Sequence, residues 1–183
     1  MIETQALGFA LSRSPQRQLH LTHRRRALAQ ASHPEAQALI AAWSASARDG
    51  GMVLGTHFPA RRWAKWLPHT VLLQRLRRDG AREHPRCDYR VRLAGFGLFC
   101  FHGFDPTGRL LSEVHGPSEY PSRAAELDAV LGANRPHIAQ RSVHLDGETV
   151  MAREVVSLPV LAADTRTRLV LAVSFWTERG WLN

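Results

Sequence analysis

Residues 87 to 114 read CDYRVRLAGFGLFCFHGFDPTGRLLSEV, and this stretch decides the fold. Its first eight positions alternate. Tyr89, Val91 and Leu93 point to one face of a strand, and Asp88, Arg90 and Arg92 to the other. The strand stops at Gly95-Phe96-Gly97, where a chain without Cβ atoms is free to turn. An aromatic connector follows (Phe96, Phe99, Phe101, Phe104), and Asp105-Pro106-Thr107-Gly108 then reads as a turn. A half-buried strand, an aromatic connector and a polar turn predict a sheet with one face roofed by irregular helical segments.

Working outward, Ser122 to Leu131 reads as a helix closed by Gly132, and Pro136 starts the return to sheet. Ile138 to Leu145 and Thr149 to Val160 flank Asp146-Gly147, a hairpin signal because both turn positions tolerate positive φ. Leu169 to Trp176 alternates again. Upstream, Thr70 to Arg77 is a strand joined to Cys87–Ala94 by a polar loop around Asp79-Gly80. A short helix beginning at Pro59 turns Trp63, Trp66 and Leu67 inward and leaves Arg61, Arg62 and Lys65 wet. Before it, Ser32-His33-Pro34-Glu35 has capping-box spacing, and Ala36, Leu39, Ile40, Trp43 and Ala47 form an apolar stripe that ends at Gly50-Gly51. The result is five antiparallel strands, a hairpin and then a meander, with helices on one face and further helices at the N-terminal end. The fold class is α+β.

Tyr-Arg-x-Arg-Leu-x-Gly at Tyr89–Gly95, followed by Asp-x-Thr-Gly-Arg-x-Leu-Ser-Glu at Asp105–Glu113, resembles a bacterial family of small PAS-like sensory domains. Three further pieces follow the same order: Trp43 to Gly51, Trp66-Leu67-Pro68-His69, and Gly132-x-x-Arg135-Pro136. The resemblance spans roughly residues 36 to 178 and rests on motifs of fold, none catalytic. It departs at Val53-Leu54-Gly55-Thr56, where relatives carry Pro-x-Arg, so that arginine's role does not transfer. It implies a PAS-like five-stranded domain acting as a non-catalytic sensory or regulatory module in bacterial signalling, read out by a protein partner.

Composition sets the remaining bounds. The 183 residues suffice for one domain, expected over 32–183, with residues 1–31 as a basic and partly disordered extension in which Leu19 to Gln30 could form a basic helix. No apolar run approaches the ~20 residues of a spanning helix, the N-terminus does not read as a signal peptide, and two cysteines make no disulfide framework. A cytoplasmic protein is expected. The net charge of +8 collects in residues 1–33 and 61–92. Arginine predominates so strongly, with Lys65 the sole lysine, that a genome-wide bias explains it as well as a site does. The alternative function is a nucleic-acid-binding module using Arg24 to Arg26 and the Arg75–Arg86 hairpin.

No phosphate-binding glycine loop, nucleophile elbow or zinc-protease helix appears, and no metal site is expected. Cys100 lacks the Asn-Cys-Arg-Phe setting of flavin photosensors, and Ser122 to Leu131 has no histidine to bind haem, which argues against both cofactors. Tyr89, Phe96, Phe99, Phe101 and His102, with Arg109, are the candidates to line a pocket for a small apolar or weakly acidic ligand. The competing reading is that these aromatics fill the core and that Arg109 pairs with Glu113 beside a structural turn. Leu39, Ile40 and Trp43 are the candidate surface for a partner or a homodimer.

Overall fold

The computed structural model describes residues 4–6, 20–47, 52–57, 59–77, 87–98 and 103–179. In chain order these form β1 (Thr4–Ala6), β2 (His20–Leu28), α1 (Pro34–Ser46), α2 (Ala60–Trp63) running into a 3-10 turn (Ala64–His69), β3 (Thr70–Arg77) and β4 (Cys87–Ala94). A 3-10 turn at Phe96–Leu98, α3 (Leu111–Val114), α4 (Tyr120–Ala133), β5 (His137–Leu145), β6 (Glu148–Leu161) and β7 (Arg168–Arg179) complete the chain. The molecule is α+β. Its sheet is antiparallel throughout and has seven strands in the order β1-β2-β5-β6-β7-β3-β4, two more than the five expected.

The two additional strands come from the N-terminal segment, and β2 replaces the basic helix expected over Leu19 to Gln30. Eight consecutive residues, Leu21 to Leu28, pair with Leu145 to Ile138 of β5, so the backbone groups of β5 find partners that a solvated arm would leave to water. Residues 20–28 therefore belong to the sheet. The expected ending of α1 at Gly50-Gly51 lies outside the described residues; Ala47 already caps the helix in extended conformation.

Strand alternation sorts the core into two layers. Val156, Leu158 and Val160 of β6, with Leu169, Leu171, Val173 and Phe175 of β7, face α1, Trp63 and Trp66. Leu73, Tyr89, Val91 and Val170 face the opposite layer, built from Leu111, Tyr120, Leu127, Val130 and Leu131 of α3 and α4. Helices thus cover both faces of the sheet, the N-terminal ones on one side and those after β4 on the other.

The capping-box reading of Ser32 needs correction. Glu35 does not bond back to Ser32. The amides of Ser32 and His33 donate instead to the buried carboxylate of Glu154 on β6, at 3.0 to 3.3 Å, and the Ser32 hydroxyl also donates to it. His33 is the N-cap, its Nδ1 accepting from the Glu35 amide at 3.1 Å. A long-range strand carboxylate therefore fixes where α1 starts, which no local pattern could announce. At the other end of the meander, Asp146 (φ 50) and Gly147 (φ 89) make the tight turn their sequence predicts. Gly132 does not close α4; the helix continues to Ala133 and ends on Asn134 in the left-handed region, at φ 48.

The Asp105–Arg109 turn is structural. Asp105 Oδ1 accepts from the Thr107 amide at 2.8 Å, Gly108 donates to the Val91 carbonyl at 2.7 Å, and Val91 donates to the Arg109 carbonyl at 2.9 Å. The Thr107 hydrogen bonds hold the Asp105 carboxyl below the ordinary aspartate value. The turn is thereby stitched to the outer edge of β4. Gly108 sits at φ +85 with open space where a Cβ would go, so substitution there tests backbone strain alone. Gly108→Val is expected to cost about 1 kcal/mol in urea unfolding. An unchanged midpoint would show that the turn relaxes without loss.

Candidate functional site

The strand partners of β7 end unevenly. On one side β6 pairs with it as far as Arg179, while on the other β3 pairs only from Leu169 to Val173. Beyond Val173 the chain before β3 swings away as the Ala64–His69 turn, and an open cleft of about 400 Å³ remains between that turn, the start of α1 and the free margin of β7. That volume lies within the range of small-molecule sites. Trp66 and Phe175 give it aromatic walls, and His33, Glu35, Lys65, His69, Ser174, Trp176 and Thr177 line the rest.

Each wall is held in place by its neighbours. The His33 ring stacks on Phe175 at 5.3 Å between centroids, and Trp66 meets Phe175 edge-on at 6.5 Å. Trp66 Nε1 donates to Glu35 Oε2 at 2.9 Å, and Lys65 Nζ lies 2.6 Å from the same oxygen and 4.8 Å from the Trp66 ring. The bonds from Lys65 and Trp66 hold the Glu35 carboxyl below its ordinary value, so it remains an anion. Because His33 Nδ1 accepts from the Glu35 amide, the neutral imidazole carries its proton on Nε2. The cleft therefore offers the rims of the largely buried Trp66 and Phe175 rings beside imidazole and ammonium groups. Such a set suits a small planar molecule with one polar or weakly acidic end.

The residues singled out in the sequence lie elsewhere. Tyr89 is fully buried against α4, and its hydroxyl donates to Asp128 Oδ1 at 2.8 Å, an oxygen that also receives Arg75 Nε at 2.8 Å. Burial, with the Asp128 carboxylate adding to it, pushes the Tyr89 phenol far above its usual pKa, so it stays a neutral donor. Phe96 is 76% exposed. Arg109 is exposed and lies over the Phe104 ring at 4.7 Å rather than pairing with Glu113, whose carboxylate accepts from the Leu110 amide at 3.0 Å. Phe99, Cys100, Phe101 and His102 lie outside the described residues. The structure therefore does not gather Tyr89, Phe96 and Arg109 into one pocket.

Leu39, Ile40 and Trp43 are not an assembly surface either. Leu39 and Trp43 are buried against β6 in the first core layer, with Ile40 packed beside them, and Trp43 Nε1 donates to the Pro159 carbonyl at 3.0 Å. The stripe covers the chain's own sheet. Nor do Arg24, Arg25 and Arg26 act as a single basic patch, because strand alternation sends Arg25 to the α4 face and its neighbours to the other. Arg75 is engaged by Asp128, and residues 78–86 of the basic hairpin lie outside the described residues.

The cleft was missed because its lining comes from three distant segments, 33–35, 65–69 and 174–177. Trp66 had been legible as an inward residue, but nothing local says that part of its surroundings stays open. No protein-family model matches the chain, and no curated protein matches it. Among the described residues no group of three or more His, Cys, Asp or Glu side chains is placed to hold a metal ion, and no helix is long and apolar enough to cross a membrane.

Proposed function

We propose that the protein is a non-catalytic PAS-like sensory or regulatory module that takes a small planar, apolar or weakly acidic ligand in the Trp66–Phe175 cleft and passes its state to a protein partner. The cleft beside the uncovered length of β7 carries this reading. The order of elements supports it as well: a hairpin, a helical section and a three-strand meander occur in the order that the PAS-like resemblance requires. A ligand wedged between α1, the Ala64–His69 turn and β7 favours one packing of these elements over another. A partner reading the outer side of α1 or the turn then senses the shift in population.

Two probes test it, salicylate as a weakly acidic planar molecule and indole as an apolar one. At least one is expected to raise the melting temperature saturably, since a ligand at 100 times its Kd adds about 2.7 kcal/mol. Thr177 is exposed at the margin of the cleft, so Thr177→Trp fills the space without touching the core. It should abolish the response and leave the unliganded melting temperature nearly unchanged. The reading fails if neither probe produces a saturable shift at millimolar concentration and native mass spectrometry finds no copurifying small molecule.

A further inference from the structure

The hairpin that joins β5 to β6 carries a chain of three polar side chains away from the cleft. Ser142 Oγ lies 2.8 Å from His144 Nε2, and Thr149 Oγ1 lies 3.1 Å from His144 Nδ1. Ser142 and His144 stand two residues apart on β5 and so share one face, opposite to that of Arg141. Thr149 reaches the imidazole because the ladder between β5 and β6 changes register there. Val143 pairs with Met151, yet His144 pairs with Thr149, so Val150 bulges out of the pairing. In an unbroken register Val150 would stand opposite His144 and offer it no hydroxyl. Bulges re-aim side chains in this way.

The neighbours of Ser142 leave it room. Its register partner on β2 is Arg24, and on β6 it is Ala152. Directly paired residues share a face of the sheet, so Ser142 stands between a guanidinium side chain and a single methyl group. His144 is buried, Ser142 is half-buried, and Arg24 and Thr149 are exposed. The imidazole is thus shielded while the hydroxyl can be reached. A serine hydroxyl on one imidazole nitrogen and an orienting group on the other is the arrangement that activates an alcohol as a nucleophile. With its proton on Nδ1, donated to Thr149, His144 leaves Nε2 to accept from Ser142.

We propose that Ser142 is a covalent modification site, acylated by a small acyl phosphate, with His144 as general base and Thr149 as a positioning residue. Ser142 Oγ bonds to the acyl carbon, and the hydroxyl proton passes to His144 Nε2. The bond from that carbon to the bridging oxygen breaks, and its electron pair leaves with the phosphate, which takes the proton back from the imidazolium. The exchange is redox-neutral. Arg24 selects the donor, because a guanidinium fork matches a phosphate leaving group and gains nothing from a neutral ester. The acyl group stays on the protein, so the site marks the chain once and does not turn substrate over. This proposal is independent of the cleft and its ligand.

Acetyl phosphate is the probe, and p-nitrophenyl acetate is a donor without a phosphate. Trypsin then releases residues 142–153, a peptide that contains no lysine and whose hydroxyl side chains are Ser142 and Thr149. Lys65, the sole lysine, records unassisted chemical acetylation in the same sample. Mass spectrometry is expected to find Ser142 acetylated faster than Lys65 in the native protein, and not in the urea-unfolded one. Ser142→Ala should abolish labelling of the peptide. His144→Gln should slow it about a hundredfold or more, the range of a general base, and Thr149→Val by a smaller factor. Thr149 is exposed, so its valine variant should keep a nearly unchanged melting temperature even if His144→Gln folds poorly, and Thr149→Ser should restore the rate. Arg24→Gln should slow acetyl phosphate more than p-nitrophenyl acetate. The proposal is overturned if acetyl appears on Lys65 but not on Ser142, or if native and unfolded protein label Ser142 alike. It is equally overturned if folded Thr149→Val labels as fast as the wild type, or if Arg24→Gln affects both donors equally.

Discussion

Trp43→Ala is expected to lower the stability of the protein by about 3–5 kcal/mol. Two losses combine. The indole is 8% exposed and fills the space between α1 and β6, so its removal leaves a cavity that neighbours Leu39, Leu158 and Val160 cannot fully close. Its Nε1 also donates to the Pro159 carbonyl at 3.0 Å, and truncation leaves that acceptor inside the cavity. Trp43→Phe should recover part of the packing but not the hydrogen bond. Trp43→Glu should fail to fold, because it places an unpaired carboxylate in the core. Guanidinium unfolding followed by circular dichroism measures all three. A well-folded Trp43→Glu monomer derived from a wild-type dimer would restore the stripe as an assembly surface.

The second large effect is expected at Gly95. A Cβ built there meets the Leu67 carbonyl oxygen at 2.1 Å and the Pro68 carbonyl carbon at 2.5 Å, both backbone atoms that no rotamer change can move. The Gly95 amide donates to the Thr70 carbonyl at 2.7 Å, which fixes it in that position. Gly95→Ala should therefore cost about 3 kcal/mol or more, by prying the Phe96–Leu98 turn off the Ala64–His69 turn. Because His69 and Trp66 line the cleft, the loss should extend to ligand response even where the fold survives. A substitution costing less than 1 kcal/mol would show that the two turns separate freely. The reason for the glycine is close approach of two backbones. The free turning expected at Gly95-Phe96-Gly97 is not needed, since the positive-φ glycines of the described chain are Gly55, Gly103, Gly108 and Gly147.

Five of the seven strands were legible because each buries one or both faces and so writes its period into the sequence. Thr70–Arg77 and Cys87–Ala94 have the bounds expected of them, but a bulge at Leu72/Leu73 breaks the alternation, so that Leu93 pairs with Leu72 and it is Ala94, paired with Val71, that shares the face of Tyr89 and Val91. Asp88 is buried despite its place in the pattern: it accepts from the Tyr89 amide and the Ser112 hydroxyl, both at 2.7 Å. β2 was illegible. His23-Arg24-Arg25-Arg26 has no apolar alternation, and what holds it is backbone pairing with β5 plus contacts made only after folding, Arg25 to Glu126 and Arg26 to Gln140. The Glu126 cluster was hidden for the same reason. Arg25, Arg123 and Arg141, which meet on Glu126, are separated by up to 116 residues in the chain, and each reads alone as an ordinary surface arginine. The aromatic motif suggested a pocket at Tyr89, but a strand residue directly under α4 has no room left for a ligand.

The width of the sheet has a consequence for how copies of this protein meet. An unpaired strand margin invites another chain to continue the hydrogen-bonded ladder, and β5 would present such a margin if the sheet began there. β2 covers it. β1 in turn pairs with His20, Leu21 and Thr22, so the length of β2 without a further partner among the described residues is the one carrying Arg24, Arg25 and Arg26. At the opposite margin β4 exposes Arg90 and Arg92, with Arg109 close by. A second copy approaching the β2 side in solution meets Arg24 and Arg26, while on the β4 side the turn through Arg109 already takes the hydrogen-bonding groups of Val91, so edge-to-edge growth into a longer ladder is opposed at one margin by charge and at the other by cover.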